Sequence, residues 1–152
     1  MTARSGTPGS AKRETAVRGL EIAFASLGAA YRRFFAAAAE TVSPGLVPGA
    51  LKALMVINRV GPTQLSTLVP LLHSDKGMVS RQVSELERLG LVERQGDPDD
   101  ARVRLIQISE LGAERLEQAR RPHLDRLHRI LADWPIEDID KLAGLLNEVS
   151  EG

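Results

Sequence analysis

The sequence predicts a mainly helical protein with one short β-hairpin, a fold of the mainly α (α+β) class. Aromatic residues make up only 3% of its 152 residues, whereas Leu and Ala abound, and this composition favours helices packed on helices. Apolar residues also recur at helical spacing near both ends of the chain. Two apolar segments flank the turn DPDD (97–100), as the strands of a hairpin do. The length suits one sizeable core, so we expect a single domain.

The overall composition excludes several kinds of site and partner. Twenty basic and twenty acidic residues give a formal net charge of zero, so any attraction of nucleic acid must come from local segregation of charge. The chain has no cysteine, which excludes a disulfide scaffold and a thiolate metal site. MTARSGTPGS lacks the apolar run of a signal peptide, and no segment approaches the roughly 20 apolar residues that span a bilayer. We expect a cytoplasmic protein without a membrane partner, with a flexible tail over 1–11 and one domain over 12–152.

The first predicted helix covers 12–42. Its apolar residues alternate spacings of three and four, which gives a stripe about six turns long. The segment TVSPGLVPG (41–49) ends it, because Pro and Gly stop or kink helices. The residues of the stripe are Val17, Leu20, Phe24, Leu27, Tyr31, Phe34 and Ala38.

Three shorter helices follow, over GALKALMVINRV, TQLSTLVPLL and KGMVSRQVSELERLG. Thr63 is the expected N-cap of the middle one, and Pro70 predicts that this helix is short or bent. The next helix takes Ser74 or Asp75 as its cap, and Gly90 ends it as a C-terminal glycine does.

LVERQ and RVRLIQI read as the two strands of the hairpin. Their alternation is imperfect, so we expect either a bulge or partial cover on both faces. Ser109 then caps a long helix that extends to Trp134 and that Pro122 should kink. Pro135 opens the last helix, which has its own apolar stripe of Ile136, Ile139, Leu142, Leu146 and Val149.

This order of elements is that of a winged helix-turn-helix over 48–109, between long amphipathic helices over 12–42 and 110–150. Terminal helices this apolar need a partner surface, so we interpret them as dimerisation helices.

The helix after Asp75 has an outward face that suits a DNA major groove. With Val79 at the centre of the inward face, Val83 and Leu86 fall within about 40° of it at 100° per residue. The side chains on the opposite arc are small, polar or basic, with no large apolar residue, and such groups bond base edges and permit close approach. An ordinary solvated helix face has the same composition, so the face alone decides little. The candidate DNA-binding residues are Lys76, Gly77, Ser80, Arg81, Gln82, Ser84 and Arg88.

The acidic turn of the hairpin raises the question of what its carboxylates hold. Asp100 beside Arg102 suits an orienting pair, in which the carboxylate fixes the guanidinium for a minor groove. Asp97 and Pro98 would shape the turn. The alternative is an exposed ion pair worth at most about 1 kcal/mol.

Two segments carry a resemblance to a known family. DPDDARVRLIQISELG resembles the wing of the multiple antibiotic resistance regulator (MarR) family, roughly D-P-x-D-x-R followed by an apolar strand and a Ser/Thr helix cap. DKGMVSRQVSELERLGLVER is similar to the recognition helix of that family. Matching positions are Asp97, Pro98, Asp100, Arg102, Leu105, Ser109 and Gly112 in the wing, and Val79, Arg81, Leu86, Leu89, Gly90 and Leu91 in the helix.

The resemblance implies a homodimeric transcriptional regulator that binds a pseudo-palindromic site on double-stranded DNA and needs no cofactor. Members of the family are often repressors released by small phenolic or anionic ligands, bound between the dimer helices and the DNA-binding lobe. The family's wing roles fall on Asp100 as orienter and Arg102 as the minor-groove residue, with Arg94 and Arg104 as further contacts to phosphate. Pro70 departs from the family, and 73–104 holds six basic and seven acidic residues, so binding depends on segregation between faces.

Two rival functions remain open at the level of sequence. An enzyme is disfavoured, because the chain has no Gly-rich phosphate loop and no His-Glu-x-x-His helix, and His123 and His128 lie about 140° apart on a helix. A non-regulatory winged-helix module for DNA or protein binding is the stronger rival. The effector site is unknown: Tyr31, Phe34, Phe35, Met55, Trp134 and the arginines of ARRPHLDRLHR are candidates, but such residues are more often core or dimer contacts.

Overall fold

A computed structural model describes residues 8–100 and 102–151, which form six helices and a two-stranded antiparallel hairpin. The predicted fold class and order of elements are confirmed. The helices and strands are α1 (Pro8–Val42), α2 (Pro48–Val60), α3 (Leu65–Leu72), α4 (Lys76–Arg88), β1 (Val92–Gly96), β2 (Arg104–Ile108), α5 (Glu110–Leu131) and α6 (Ile136–Glu151).

The first helix begins earlier than the sequence predicted. Helix α1 starts at Pro8, four residues before the expected start at Lys12, so only residues 1–7 of the expected tail lie outside the described residues. Proline suits a first helical turn, because the N–H it lacks would have no partner there. The helix ends at Val42, where the Glu40 carboxylate accepts a hydrogen bond from the Gly45 N–H at 2.9 Å. Gly45 has φ +79°, which glycine adopts without steric cost.

The core lies between α2, α3, α4 and the hairpin, with the end of α1 and the start of α5 closing it. Each element contributes one apolar face, as amphipathic elements around a common core must. The bulkiest fully buried side chains are Val42, Leu51, Leu54, Ile57, Leu68, Val79, Val83, Leu86, Leu91, Ile106 and Leu116.

Thr63 does not cap α3, contrary to the prediction. Gln64 occupies the N-cap position without a side-chain bond, and Thr63 instead pairs with Ile106 on β2. The Thr63 N–H donates to the Ile106 carbonyl at 2.9 Å, and the Ile106 N–H donates to the Thr63 carbonyl at 2.7 Å. Both backbone groups of Thr63 are thereby satisfied by the sheet, which leaves the cap to other residues. The prediction of a short helix around Pro70 is confirmed, since α3 has 8 residues.

Local signals do fix both ends of α4. The Asp75 carboxylate accepts a hydrogen bond from the Met78 N–H at 2.9 Å, so Asp75 rather than Ser74 is the cap. After the last turn, Gly90 adopts φ +70°, and the Leu91 N–H donates to the Leu86 carbonyl at 2.9 Å. This six-residue closure is a common way to end a helix at glycine.

The two strands pair in regular register, from Val92 opposite Ile108 to Gly96 opposite Arg104. The expected bulge is therefore absent between these paired residues. The alternative, partial cover on both faces, is confirmed: Ile106 is buried and Leu105 half-buried.

Ser109 caps α5 as predicted, because its hydroxyl accepts from the Gly112 N–H at 3.0 Å. It also donates to the Gly90 carbonyl at 2.5 Å, which ties the turn after α4 to the start of α5. The helix continues through Pro122 and ends at Leu131, three residues before the predicted end at Trp134.

Candidate nucleic-acid interface

Helix α4 presents the predicted polar face to solvent. Val79, Val83 and Leu86 are completely buried, which confirms the inward stripe and fixes the rotation of the helix about its axis. Of the candidate DNA-binding residues on the helix, Lys76, Gly77, Arg81, Ser84 and Arg88 are exposed and Ser80 is half-buried.

Gln82 does not join this outward face. It is half-buried, and a Cβ built on Gly49 of α2 would lie 2.5 Å from its Nε2 atom. Gln82 follows Val79 by three residues, about 60° from the centre of the buried face. Its side chain therefore lies along α2, and glycine at position 49 leaves the room for it.

Met78 is a residue of the outward face that the sequence analysis missed. Its side chain is 40% exposed, and its sulfur lies 3.9 Å from Nη2 of Arg81. The sequence predicted a face without large apolar groups, although the position of Met78, about one turn before Arg81, was sufficient to place it there.

Arg88 is paired with a carboxylate on its own helix. Its Nε and Nη2 atoms donate to the two oxygens of Glu85 at 3.0 and 2.7 Å. The hydrogen bond from Arg88 lowers the pKa of the Glu85 carboxyl, and the same bond raises the pKa of Arg88. A phosphate that binds Arg88 must compete with this carboxylate.

Arg94 at the start of the wing is also paired. Its Nε atom lies 3.0 Å from an oxygen of Glu87, so this contact joins β1 to α4. In contrast, Lys76, Arg81, Arg102 and Arg104 form no ion pair with any residue in 8–100 or 102–151.

The aspartates of the wing hold the backbone of the turn, and the expected contact between Asp100 and the Arg102 guanidinium is absent among the described residues. The Asp100 carboxylate accepts a hydrogen bond from the backbone N–H of Arg102 at 3.0 Å. Asp97 accepts from the Asp99 N–H at 2.8 Å, as the sequence analysis expected of a turn residue. Such aspartate-to-backbone bonds compete with ion pairing because the partner is only two residues away. Arg102 and Arg104 are left exposed.

A cleft of about 550 Å³ lies between α1 and α2. Two of the suggested effector residues, Tyr31 and Phe35, line it. The ring of Phe34 instead stacks on that of His123, with centroids 4.1 Å apart, and Trp134 lines a different cleft beside α6. The lining of the first cleft consists of Gly28, Tyr31, Arg32, Phe35, Pro48, Gly49 and Lys52.

Neither a metal cluster nor a membrane span is found in the described part of the chain. No three His, Asp or Glu side chains there lie close enough together to hold a metal ion. None of the helices there has the length and apolar character needed to cross a bilayer.

The lobe matches a family model, and relatives extend the likeness. The model described as MarR family matches residues 46–103. An uncharacterised HTH-type transcriptional regulator of Bacillus subtilis, YxaD, is 29% identical over 98 residues, which are 64% of this chain and 68% of the relative.

Solved structures agree with the fold over most of the chain. A MarR-like transcriptional regulator from Thermotoga maritima is 27% identical with a TM-score of 0.64, over 87% of this chain and 94% of the other. A MarR family protein from Bacillus stearothermophilus superposes with a TM-score of 0.72 at 22% identity, over 91% of this chain and 95% of the other. The latter likeness concerns the fold alone. The names of the relatives are those of transcriptional regulators, which disfavours the enzyme alternative.

Proposed function

The chain belongs to the MarR family of transcriptional regulators, and from this premise we propose that it is a sequence-specific repressor that binds DNA as a homodimer in the cytoplasm. One observation supports the proposal most directly: the face of α4 opposite its buried stripe is polar and basic, and it lies on the same lobe as the exposed wing arginines. A single helix in a major groove and a wing in the adjacent minor groove would use these two surfaces together.

We assign roles to the candidate residues according to whether a carboxylate already pairs with them. Arg81 suits a bidentate contact to guanine and Ser84 a contact to either base type. Arg102 suits the minor groove, where a narrow groove concentrates negative potential. Lys76 and Arg104 would contact phosphate, as would Arg88 and Arg94 once released from their carboxylates. Asp100 would act by holding the backbone of the wing, and Gln82 by packing α4 against α2.

The domain organisation forms part of the proposal. We assign 48–109 to the DNA-binding lobe, with 12–42 and 110–150 as dimerisation helices. Helix α6 has no buried residue, and its apolar side chains, together with those of α1, need a partner surface. A twofold dimer would cover both and would present two α4 helices to a pseudo-palindromic operator.

The cleft between α1 and α2 supports release by a small ligand. Its volume falls within the range of small-molecule sites, and its lining combines cationic and aromatic groups. Arg32 and Lys52 would bind a carboxylate or phenolate, and Tyr31 and Phe35 its ring. Gly49 belongs to the same cleft and lies beside Gln82 of α4. A ligand in the cleft could therefore shift α4 through this contact.

Binding to the promoter upstream of the protein's own gene tests this function. We expect retardation of that promoter over random DNA at moderate salt. Arg81→Ala and Arg102→Ala should each weaken it about tenfold, since a good base contact is worth about 1–3 kcal/mol. Arg126→Ala, an exposed arginine on α5, is the matched control and should bind normally.

Three outcomes would contradict parts of the proposal. Equal affinity for promoter and random DNA would favour the non-regulatory module. A loss of dimer in the two variants would show that they act through assembly. Retention of the complex at millimolar benzoate and phenol would remove the ligand-release step.

A further inference from the structure

We infer that Met78 reads the C5-methyl group of a thymine and so determines part of the sequence specificity; this inference rests on the proposed function. The outward face of α4 carries one large apolar side chain, that of Met78, which lies in the first turn of the helix. In helix-turn-helix proteins the N-terminal residues of the recognition helix contact base edges. The thymine methyl is the one apolar group in the base-edge pattern of the major groove.

The backbone of Met78 is held in a fixed position. Its N–H donates to the Asp75 carboxylate at 2.9 Å, while Val79 next to it is completely buried. The side chain itself is 40% exposed and is bounded on one side by the Arg81 guanidinium. Single exposed apolar residues are common on proteins, but this one lies in the first turn of α4 and has the Arg81 guanidinium beside it.

Met78 and Arg81 act as neighbouring readers in this interpretation. Residues three apart in a helix are separated by about 4.5 Å along its axis, close to the spacing of about 3.4 Å between successive base pairs. The Met78 sulfur contacts Nη2 of Arg81, and the Nη1 atom of Arg81 would lie 3.5 Å from a Cβ built on Gly77. The pair therefore suits a thymine next to the guanine that Arg81 would bind.

Replacement of thymine by deoxyuridine tests this, because it removes only the methyl group. The operator is first selected from random duplexes, and each thymine is then replaced symmetrically in both half-sites. Affinity is measured at one salt concentration for the unaltered protein and for Met78→Ala, Met78→Gln and Met78→Leu. Val60→Ala, a substitution of another exposed apolar residue (41%) at the end of α2, is the control.

We expect one thymine position, beside a guanine, at which loss of both methyl groups weakens binding by the unaltered protein about fifteenfold, about fourfold for each half-site. Met78→Ala and Met78→Gln should lose this sensitivity, whereas Met78→Leu and Val60→Ala should keep it. If no position loses its methyl dependence in Met78→Ala and Met78→Gln, or the selected operator has no thymine in contact, the inference is overturned while the regulator function stands. If no duplex is preferred over random DNA, the proposed function fails and the inference fails with it.

Discussion

At the scale of single residues, the basic side chains of the candidate interface fall into two groups. Arg81 and Arg102 have no carboxylate partner among the described residues, whereas Arg88 and Arg94 are held by Glu85 and Glu87. Since residues 73–104 hold about as many acidic as basic residues, this pairing decides which positive charges are available to DNA. The contact of Arg88 with Glu85 lies at the surface, so it adds little to stability and matters mainly for where the guanidinium points.

The Glu85–Arg88 contact predicts a titration that can be measured by NMR. Hydrogen bonding from Arg88 lowers the pKa of Glu85 below its ordinary value of 4.5. The contact is therefore complete above 4.5 and is lost as the pH falls through the lowered pKa. We expect the side-chain carboxyl carbon of Glu85 to titrate below 4.5, and Arg88→Gln to return it to the ordinary value. Equal midpoints in the two proteins would show that the contact does not persist in solution.

The residues that sequence analysis placed correctly are those governed by periodicity. Val79, Val83 and Leu86 follow the helical repeat, which also fixes the side of α4 on which Arg81 lies. Gln82 lies about 60° from the centre of the buried face by the same repeat, but the contact that holds its side chain along α2 involves Gly49, 33 residues earlier in the chain. No local pattern encodes such a contact.

Two further errors at the hairpin have a common cause. Asp100 was expected to bind a guanidinium and Thr63 to cap a helix. Instead, the Asp100 carboxylate accepts from the backbone N–H of Arg102, and the backbone of Thr63 pairs with that of Ile106. Each expectation named a chemically suitable partner. The structure instead pairs these residues with backbone groups that must be satisfied if the turn and the sheet edge are to form.

At the scale of elements, the joint between α1 and α5 carries the connection between the terminal helices and the lobe. Nη1 of Arg115 on α5 donates to the carbonyl of Val42, the last residue of α1, at 3.1 Å. Carbonyls at a helix end have no partner in the helix, and a basic side chain there both satisfies the group and complements the helix dipole. Nearby, Gly112 allows close approach of α5 to the Leu91 carbonyl.

Removal of the Arg115 donor should therefore loosen this joint. We expect Arg115→Met, which keeps the aliphatic part of the side chain, to lower the free energy of unfolding by about 1–2 kcal/mol, because the Val42 carbonyl is left without its donor. Arg121→Met, an exposed arginine of the same helix, should change it by less than about 0.5 kcal/mol. Urea unfolding at one protein concentration measures both. Equal effects would show that Arg115 acts only through its net charge.

At the scale of the whole molecule, the described residues form one buried core, and the terminal helices expose apolar side chains outside it. The core unites the lobe with the last turns of α1, whereas most apolar residues in the stripes of the rest of α1 and of α6 are exposed, with Phe24 and Ile139 half-buried. Ile136 is 72% exposed and Val149 57%. The sequence predicted these stripes, because amphipathicity is local, but it does not specify which surface covers them. The MarR fold and the need for two reading helices make a second copy of the chain the proposed cover.

Charges placed in these stripes test the dimer and its link to DNA binding together. Leu20→Glu on α1 and Leu142→Glu on α6 should each reduce the dimer to monomer in sedimentation, because a buried carboxylate without a partner is costly. Val47→Glu, a substitution of an apolar residue 58% exposed between α1 and α2, should leave the dimer intact.

A monomer binds through one half-site, so its affinity for a complete operator should equal that for a single half-site, while the intact dimer gains from joining two contacts. Variants that keep the dimer mass would show that these stripes face something other than a second copy, and a monomer that still prefers the complete operator would separate DNA recognition from assembly.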